Sequence, residues 1–283
     1  MPSPEPSRTA MITAVSRGQH RMADTRPWIM DDPYALSLVG PAWTTIQDTL
    51  STALREPALR QMRAGTVARS RYAEDRLFHG DFSQLVILGA GLDSFAWRRP
   101  DALGSLRVFE VDHPATQAWK LERAEALALP VATNHVFAPV ELDRETLRVG
   151  LSNAGFDWSE PTFFSWLGVT QYLAMEAIRS TLRVVASCPP GSEIVFTYVV
   201  TPPFLDGLGL EFIEAISQMA DGCGQPRQTR LSPPDARALV ERESGLTVSE
   251  HLGRDELHKR YFANRQDDLT PYSVLRFIAA MVA

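Results

Sequence analysis

The chain is poor in cysteine. Cys188 and Cys223 are its 2 cysteines in 283 residues, too few for a disulfide scaffold, so a reducing cytoplasm is the expected setting. Cys188 adjoins Pro189-Pro190 and Cys223 lies between glycines. Neither has a base beside it in sequence, and both read as bland. Basic residues are in no surplus either: 28 Lys+Arg against 34 Asp+Glu leave a formal charge of −6 and a pI near 5.6. A nucleic-acid binder usually carries a basic surface, so that class is disfavoured. No apolar run approaches the roughly 18 residues needed to span a bilayer, so no membrane role is expected. Met1-Pro2-Ser3-Pro4-Glu5-Pro6 lacks the charged and apolar regions of a signal peptide. There are no internal repeats, and low complexity is confined to that leader. What remains, 45% hydrophobic and 22% charged, is ordinary globular composition, long enough for one elaborated domain or two small ones.

The informative stretch is Gln84-Leu85-Val86-Ile87-Leu88-Gly89-Ala90-Gly91-Leu92-Asp93-Ser94. A continuous β-prone apolar run reads as a strand buried on both faces, as in a parallel sheet. The glycines behind it allow a sharp turn and a close approach of bare backbone to a ligand. About twenty residues on, Leu106-Arg107-Val108-Phe109-Glu110-Val111-Asp112 ends in an acid. A glycine turn after one strand and a carboxylate ending the next mark a site for a ribose-bearing cofactor. A dinucleotide fingerprint wants a third small residue where Asp93 stands, so that a helix amino end can approach the pyrophosphate. Its absence favours a cofactor without phosphates, and S-adenosylmethionine fits best.

Around this stretch the pattern is regular. Residues 8–80 read as amphipathic helices, broken at Asp31-Asp32-Pro33 and at Pro57, with Asp32 as an N-cap and Pro33 at the first helical position. The helix over 61–78 interleaves Arg63, Arg69, Arg71 and Arg76 with apolar residues and ends just before the first core strand. One of these arginines can therefore serve a cofactor carboxylate. From residue 84 strands and helices alternate, which predicts a doubly wound parallel sheet. Further strands are expected at 134–140, 162–167, 193–199, 246–250 and 273–279. The acid after the third, Glu141-Leu142-Asp143, is placed to lie near an adenine amine. The stretch 201–232 breaks the alternation and reads as a substrate lid above the carboxyl ends of the strands. Tyr172 and Tyr198, at the carboxyl ends of the fourth and fifth strands, are expected to line an acceptor pocket. The expected division is a helical cap over 1–80 and a core over 81–283.

Leu88-Gly89-Ala90-Gly91-Leu92-Asp93-Ser94, with Trp97-Arg98 behind it and Phe109-Glu110-Val111-Asp112-His113-Pro114 downstream, resembles the leucine carboxyl methyltransferase family. Its bacterial branch includes enzymes similar to the tetracenomycin polyketide carboxyl methyltransferase. Asp31-Asp32-Pro33-Tyr34-Ala35, Ala68-Arg69-Ser70-Arg71-Tyr72-Ala73-Glu74-Asp75, Gly224-Gln225-Pro226 and Arg260-Tyr261-Phe262 resemble further blocks, so the similarity spans nearly the whole chain. The resemblance implies a Rossmann-like class I fold: a seven-stranded, mostly parallel sheet whose last strand is antiparallel, binding S-adenosylmethionine. By motif position Arg69 would pair with the methionine carboxylate, and Gly89, Ala90 and Gly91 would pass beneath the cofactor. Asp112 would take the ribose hydroxyls, and Glu141 and Leu142 would frame the adenine. Arg17 or His20 is a looser match near the methionine end. Two positions depart from the family. Leu167 stands where an acid commonly precedes the fourth-strand glycine, and Gly224-Gln225-Pro226-Arg227 stands where Gly-Glu-Pro-Trp is common.

Methyl transfer from a sulfonium needs alignment and water exclusion. A carboxylate acceptor is already ionised at neutral pH, whereas a hydroxyl would want a general base. His113 is the candidate base by sequence, although its place after the second strand suits a structural role better. The favoured expectation is O-methylation of a small-molecule carboxylate or hydroxyl in secondary metabolism. The alternatives are methylation of a peptide or protein C-terminus, a degenerate cofactor-binding protein without activity, and a nicotinamide-dependent oxidoreductase. No metal is expected, no catalytic residue is assigned, and oligomeric state is not legible.

Overall fold

The computed structural model describes residues 7–141, 146–221 and 228–283, with the side chains of 218–221 also left aside. Four helices come first: α1 (Arg8–Ala23), α2 (Ala35–Val39), α3 (Trp43–Ala53) and α4 (Glu56–His79). Then strands and helices alternate: β1 (Gln84–Leu88), α5 (Phe95–Arg98), β2 (Arg107–Asp112), α6 (Pro114–Ala126), β3 (His135–Pro139), α7 (Leu147–Asn153), β4 (Thr162–Trp166), α8 (Met175–Ala186) and β5 (Glu193–Val199). The chain closes with α9 (Gly207–Asp221), α10 (Pro233–Ala238), β6 (Thr247–Leu252), α11 (Arg254–Leu257) and β7 (Leu275–Met281). All the strands join one 7-stranded sheet in the order β3-β2-β1-β4-β5-β7-β6. β1 to β5 run parallel, and β7 enters antiparallel between β5 and β6. This is the Rossmann-like, class I methyltransferase architecture that the sequence predicted.

Both faces of the sheet are buried, which is why its central strands are apolar without interruption. One face carries Leu85, Ile87, Val108, Phe163, Val199 and Phe277 and is packed by α4 through Val67, Tyr72 and Leu77. The other carries Val86, Leu88, Phe109, Trp166, Phe196 and Tyr198 and is packed from α7, α8 and α10. α4 thus shares its core with the sheet. Its C-terminal half is also bolted there by Arg76, which donates both Nε and Nη2 to the Glu193 carboxylate at 2.7 and 2.9 Å.

One local expectation needs correction. Asp32 does not cap a helix beginning at Pro33, since α2 starts at Ala35. Its buried carboxylate accepts instead from Arg17 Nε at 2.8 Å, from Ser94 Oγ at 2.7 Å and from the Tyr34 N–H at 3.1 Å. The break expected at Pro57 is present: α3 ends at Ala53, α4 begins at Glu56, and Pro57 occupies the first turn of α4, where a missing N–H costs nothing.

The strand order reverses between the paired β1 and β4, whose onward connections lead to β2 on one side and to β5 on the other. In a doubly wound sheet the crevice outside the carboxyl ends of such a pair is where ligands bind.

Candidate active site

A cavity of about 390 Å³ opens at that reversal. Its floor is the turn after β1. Gly89 and Gly91 both take left-handed backbone, with φ of 65° and 53°, and neither has room for a Cβ: one at Gly89 would overlap Val169, and one at Gly91 would come within 2.9 Å of Ala10. The turn is tied to β2, because Gly89 and Ala90 both donate to the Val111 carbonyl, at 2.8 and 3.1 Å. Asp112 continues the seam. Its Oδ2 accepts the Gly91 N–H at 2.5 Å and its Oδ1 the His113 N–H at 2.7 Å. Burial nevertheless raises the Asp112 pKa above the ordinary aspartate value, against the pull of those two N–H groups. Each oxygen keeps a second lone pair for a hydroxyl donor.

Arg69, on α4, supplies the opposite charge. It is 8% exposed, lines the cavity, and hydrogen-bonds Thr13 Oγ1 at 3.3 Å; among the described residues it forms no ion pair. Burial lowers its proton affinity and the Arg17 cation adds to that, while Tyr272, Tyr172 and the Asp93 carboxylate oppose it. A buried guanidinium that forms no ion pair suits an anionic ligand. The chain makes room for it at Gly168, just after β4, where φ is 73° and any Cβ would overlap the guanidinium.

The wall facing the solvent comes from α1, through Ala10 and Thr13, and from α9, through Phe212 and Ile216. Tyr272, Val274 and Leu275, at the entry to β7, complete it. α1 is held over the glycine turn by Arg17, whose Nη2 donates to the Leu92 carbonyl at 2.5 Å while Nε holds Asp32. Asp32 in turn holds Ser94, which accepts from Arg98 Nε at 3.0 Å, and Arg98 pairs with Glu74 of α4 at 2.6 Å. Burial works against the Asp32 charge, but the Arg17 and Arg98 guanidiniums and the Ser94 hydroxyl together hold its pKa below the ordinary value.

Of the residues singled out from sequence, Arg69, Gly89, Ala90, Gly91, Asp112 and Tyr172 line this one cavity. Glu141 does not; its carboxylate stands 3.5 Å from His113 Nε2. Leu142 and the Gly224-Gln225-Pro226-Arg227 block lie outside the described residues. Tyr198 must be corrected. It points to the opposite face of the sheet from the cavity and its hydroxyl meets His251 Nε2 at 2.8 Å. Successive side chains of a strand alternate between faces, and on β5 it is Val199 that reaches the cavity. His113 caps α6, accepting the Ala115 N–H on Nδ1 at 3.1 Å, and is outside the cavity lining. His20 is wholly buried between Asp24, at 2.7 Å, and the Ile29 N–H, at 3.0 Å. Arg17 lines the cavity, but two of its nitrogens are already engaged.

Sequence reasoning missed Thr13, Gly168, Gln171, Phe212 and Tyr272. Gly168 had a local signal, a glycine directly after a buried strand, as at Gly89. The others lie on helices or connections whose facing depends on the whole fold. Asp93 resolves the missing third glycine: its Oδ1 accepts the Phe95 N–H at 2.7 Å and opens α5. A carboxylate lining the cavity at that point would repel a pyrophosphate.

The leucine carboxyl methyltransferase profile matches residues 10–186. YktD of Bacillus subtilis, a candidate S-adenosyl-L-methionine-dependent methyltransferase by name, is 32% identical, with 98% of each chain covered. A Mycobacterium tuberculosis protein with the same description is 31% identical over 67% of this chain and 66% of its own. Among solved structures, a Streptomyces avermitilis protein of the duf574 family superposes with a TM-score of 0.65 at 17% identity, covering 99% of both chains. A candidate methyltransferase from Thermobifida fusca gives 0.63 at 14% identity, over 98% of this chain and 95% of its own. These two likenesses speak for the fold alone. The profile and the full-length relative go further: the chain belongs to the leucine carboxyl methyltransferase family.

Proposed function

We propose that this methyltransferase binds S-adenosylmethionine in the cavity between the glycine turn, Arg69 and Asp112, and methylates a small-molecule carboxylate or hydroxyl. The observation that carries the reading is the Arg69 guanidinium, buried in the cavity wall with no carboxylate partner among the described residues. The cofactor supplies a methyl group already activated on a sulfonium. What the chain contributes is holding, alignment and exclusion of water. Arg69 would hold the methionine carboxylate, and Asp112, with one lone pair per oxygen to spare, would accept the ribose hydroxyls. Gly89, Ala90 and Gly91 would let the backbone pass beneath. α9 would form the described part of a substrate lid over 201–232. Its Phe212 and Ile216, with Val274, give the acceptor an apolar wall.

A carboxylate is the acceptor chemistry this lining suits best. The titratable side chains on offer are two arginines, two tyrosines, Asp93 and Asp112, and an acceptor that arrives ionised asks none of them for proton removal. A second acceptor of the same chemistry is the C-terminal carboxylate of a peptide or protein, with which the family's name, leucine carboxyl methyltransferase, is consistent.

Calorimetric titration with S-adenosylhomocysteine, on the wild type and on Arg69→Ala, tests the cofactor assignment. Binding that collapses in the variant supports it; no binding by the wild type overturns it. Acceptors are then sorted by mass gain of one methyl group, small carboxylic acids against peptides with a free C-terminus.

A further inference from the structure

Gln171 follows β4 at the edge of the cavity and is 6% exposed. Its backbone carbonyl is spoken for by the N–H groups of Gln228 and Thr229, at 2.8 and 3.3 Å. Its side-chain Nε2 donates to the Gly168 carbonyl at 2.9 Å. That donation fixes which end of the amide is which, and it leaves Oε1 as a buried acceptor with no donor among the described residues. A buried amide oxygen without a partner keeps its full desolvation cost.

The unmatched acceptor belongs to a side chain tied to the glycine that the Arg69 guanidinium packs against. Gly168 is the residue to which the Gln171 amide is hooked, and the Arg69 guanidinium packs where a Cβ of that same glycine would be. One glycine therefore spaces a cation lacking an anion from an acceptor lacking a donor. A ligand end bearing a carboxylate beside an ammonium satisfies both at once, and an α-amino acid is such an end. Leu167, just before that glycine, lines the same cavity with an apolar side chain that cannot accept from an ammonium.

We propose that Gln171 Oε1 accepts the hydrogen bond of the cofactor's α-ammonium group. The inference rests on the cofactor assignment made above. The Arg69–Gly168–Gln171 group is then a receptor for a zwitterion, selective for the intact amino-acid end. Gln171 acts by binding and positioning, with no part in the chemical step.

The test is a calorimetric comparison of S-adenosylhomocysteine with its desamino analogue, in which the α-ammonium is replaced by hydrogen. On the wild type the desamino analogue should bind about tenfold to a hundredfold more weakly, the usual worth of a hydrogen bond to a charged group. Gln171→Leu should lose that factor for S-adenosylhomocysteine and almost nothing for the analogue, while Arg69→Ala weakens both. Adding Leu167→Glu to Gln171→Leu should restore discrimination, which a merely disturbed Gly168 turn would not allow. Equal losses for both ligands in Gln171→Leu, with no rescue, would overturn the proposal and make Gln171 a strut for Gly168. Failure of the wild type to bind either ligand would instead overturn the cofactor assignment itself.

Discussion

Gly91 donates its backbone N–H to the Asp112 carboxylate at 2.5 Å, so the glycine turn after β1 and the acid ending β2 are one hydrogen-bonded unit. The carboxylate is aimed before any ligand arrives. Removing it, in Asp112→Ala, should weaken S-adenosylhomocysteine by about tenfold to a hundredfold, measured by titration. Burial raises the Asp112 pKa above the usual 3.8. Its contribution to stability is therefore complete below 3.8 and lost as pH rises through the raised value. Affinity should move the other way, climbing as the carboxylate ionises and becomes the stronger acceptor. In Asp112→Ala that acid-side climb in affinity should be absent.

Gly168→Ala separates backbone strain from site geometry. A left-handed φ on a residue with a Cβ costs about 1–2 kcal/mol, and here the Cβ also drives into the Arg69 guanidinium. Gly191→Ala is the control, since its φ is 87° and nothing lies within 4 Å of the added carbon. Both should lower the melting temperature, Gly168→Ala by more because of the added clash. Only Gly168→Ala should abolish cofactor binding.

Beneath the site, Glu110, Lys120 and His135 form a buried cluster. Lys120 Nζ contacts one Glu110 oxygen, and His135 Nε2 sits 2.9 Å from the other. Lys120 and Glu110 are both fully inaccessible. Glu110→Gln would leave the Lys120 charge without its counter-ion, and breaking a buried pair from one side costs about 3–5 kcal/mol. Denaturant unfolding should show the midpoint falling accordingly, with the slope unchanged.

His251 gives the fold an acid limit. Burial first, then the Arg276 and Arg237 cations, push its pKa down to about 4 against a weaker pull from Glu256. Tyr198 faces it, its hydroxyl hydrogen-bonded with Nε2 at 2.8 Å, and burial raises that phenol's pKa. A depressed histidine contributes stability that is present above its unfolded value of 6.5 and lost as pH falls toward about 4. Unfolding free energies measured at about pH 7 and about pH 5 should differ less in His251→Gln than in the wild type.

What could be read in the sequence was whatever depends on near neighbours. The β1 run, the Gly-Ala-Gly turn and the acid ending β2 lie within thirty residues, and β1 and β2 pair directly. Their meeting needed no knowledge of the rest of the chain. Tyr198 was misplaced because the end of a strand was legible but not its parity, and one residue decides between the two faces. Tyr272 could not be foreseen, because it reaches the cavity only once β7 has inserted beside β5. Gln171 has no sequence signature at all; its meaning lies in a carbonyl it hooks and a donor it lacks. Asp32 looked like a cap and serves as the anchor between α1 and the turn, a role only the Arg17 and Ser94 contacts reveal.

The antiparallel entry of β7 bears on how the protein comes into being. The cavity is walled at once by Ala10, in the first helix, and by Leu275, in the last strand. A growing chain would have its glycine turn and Asp112 early, yet it would hold an open trough until β7 is made. Because such distant closures are slow, cofactor capture is expected to wait on the insertion of β7. A product lacking β7 should be blind to the cofactor even where β1 to β5 have formed.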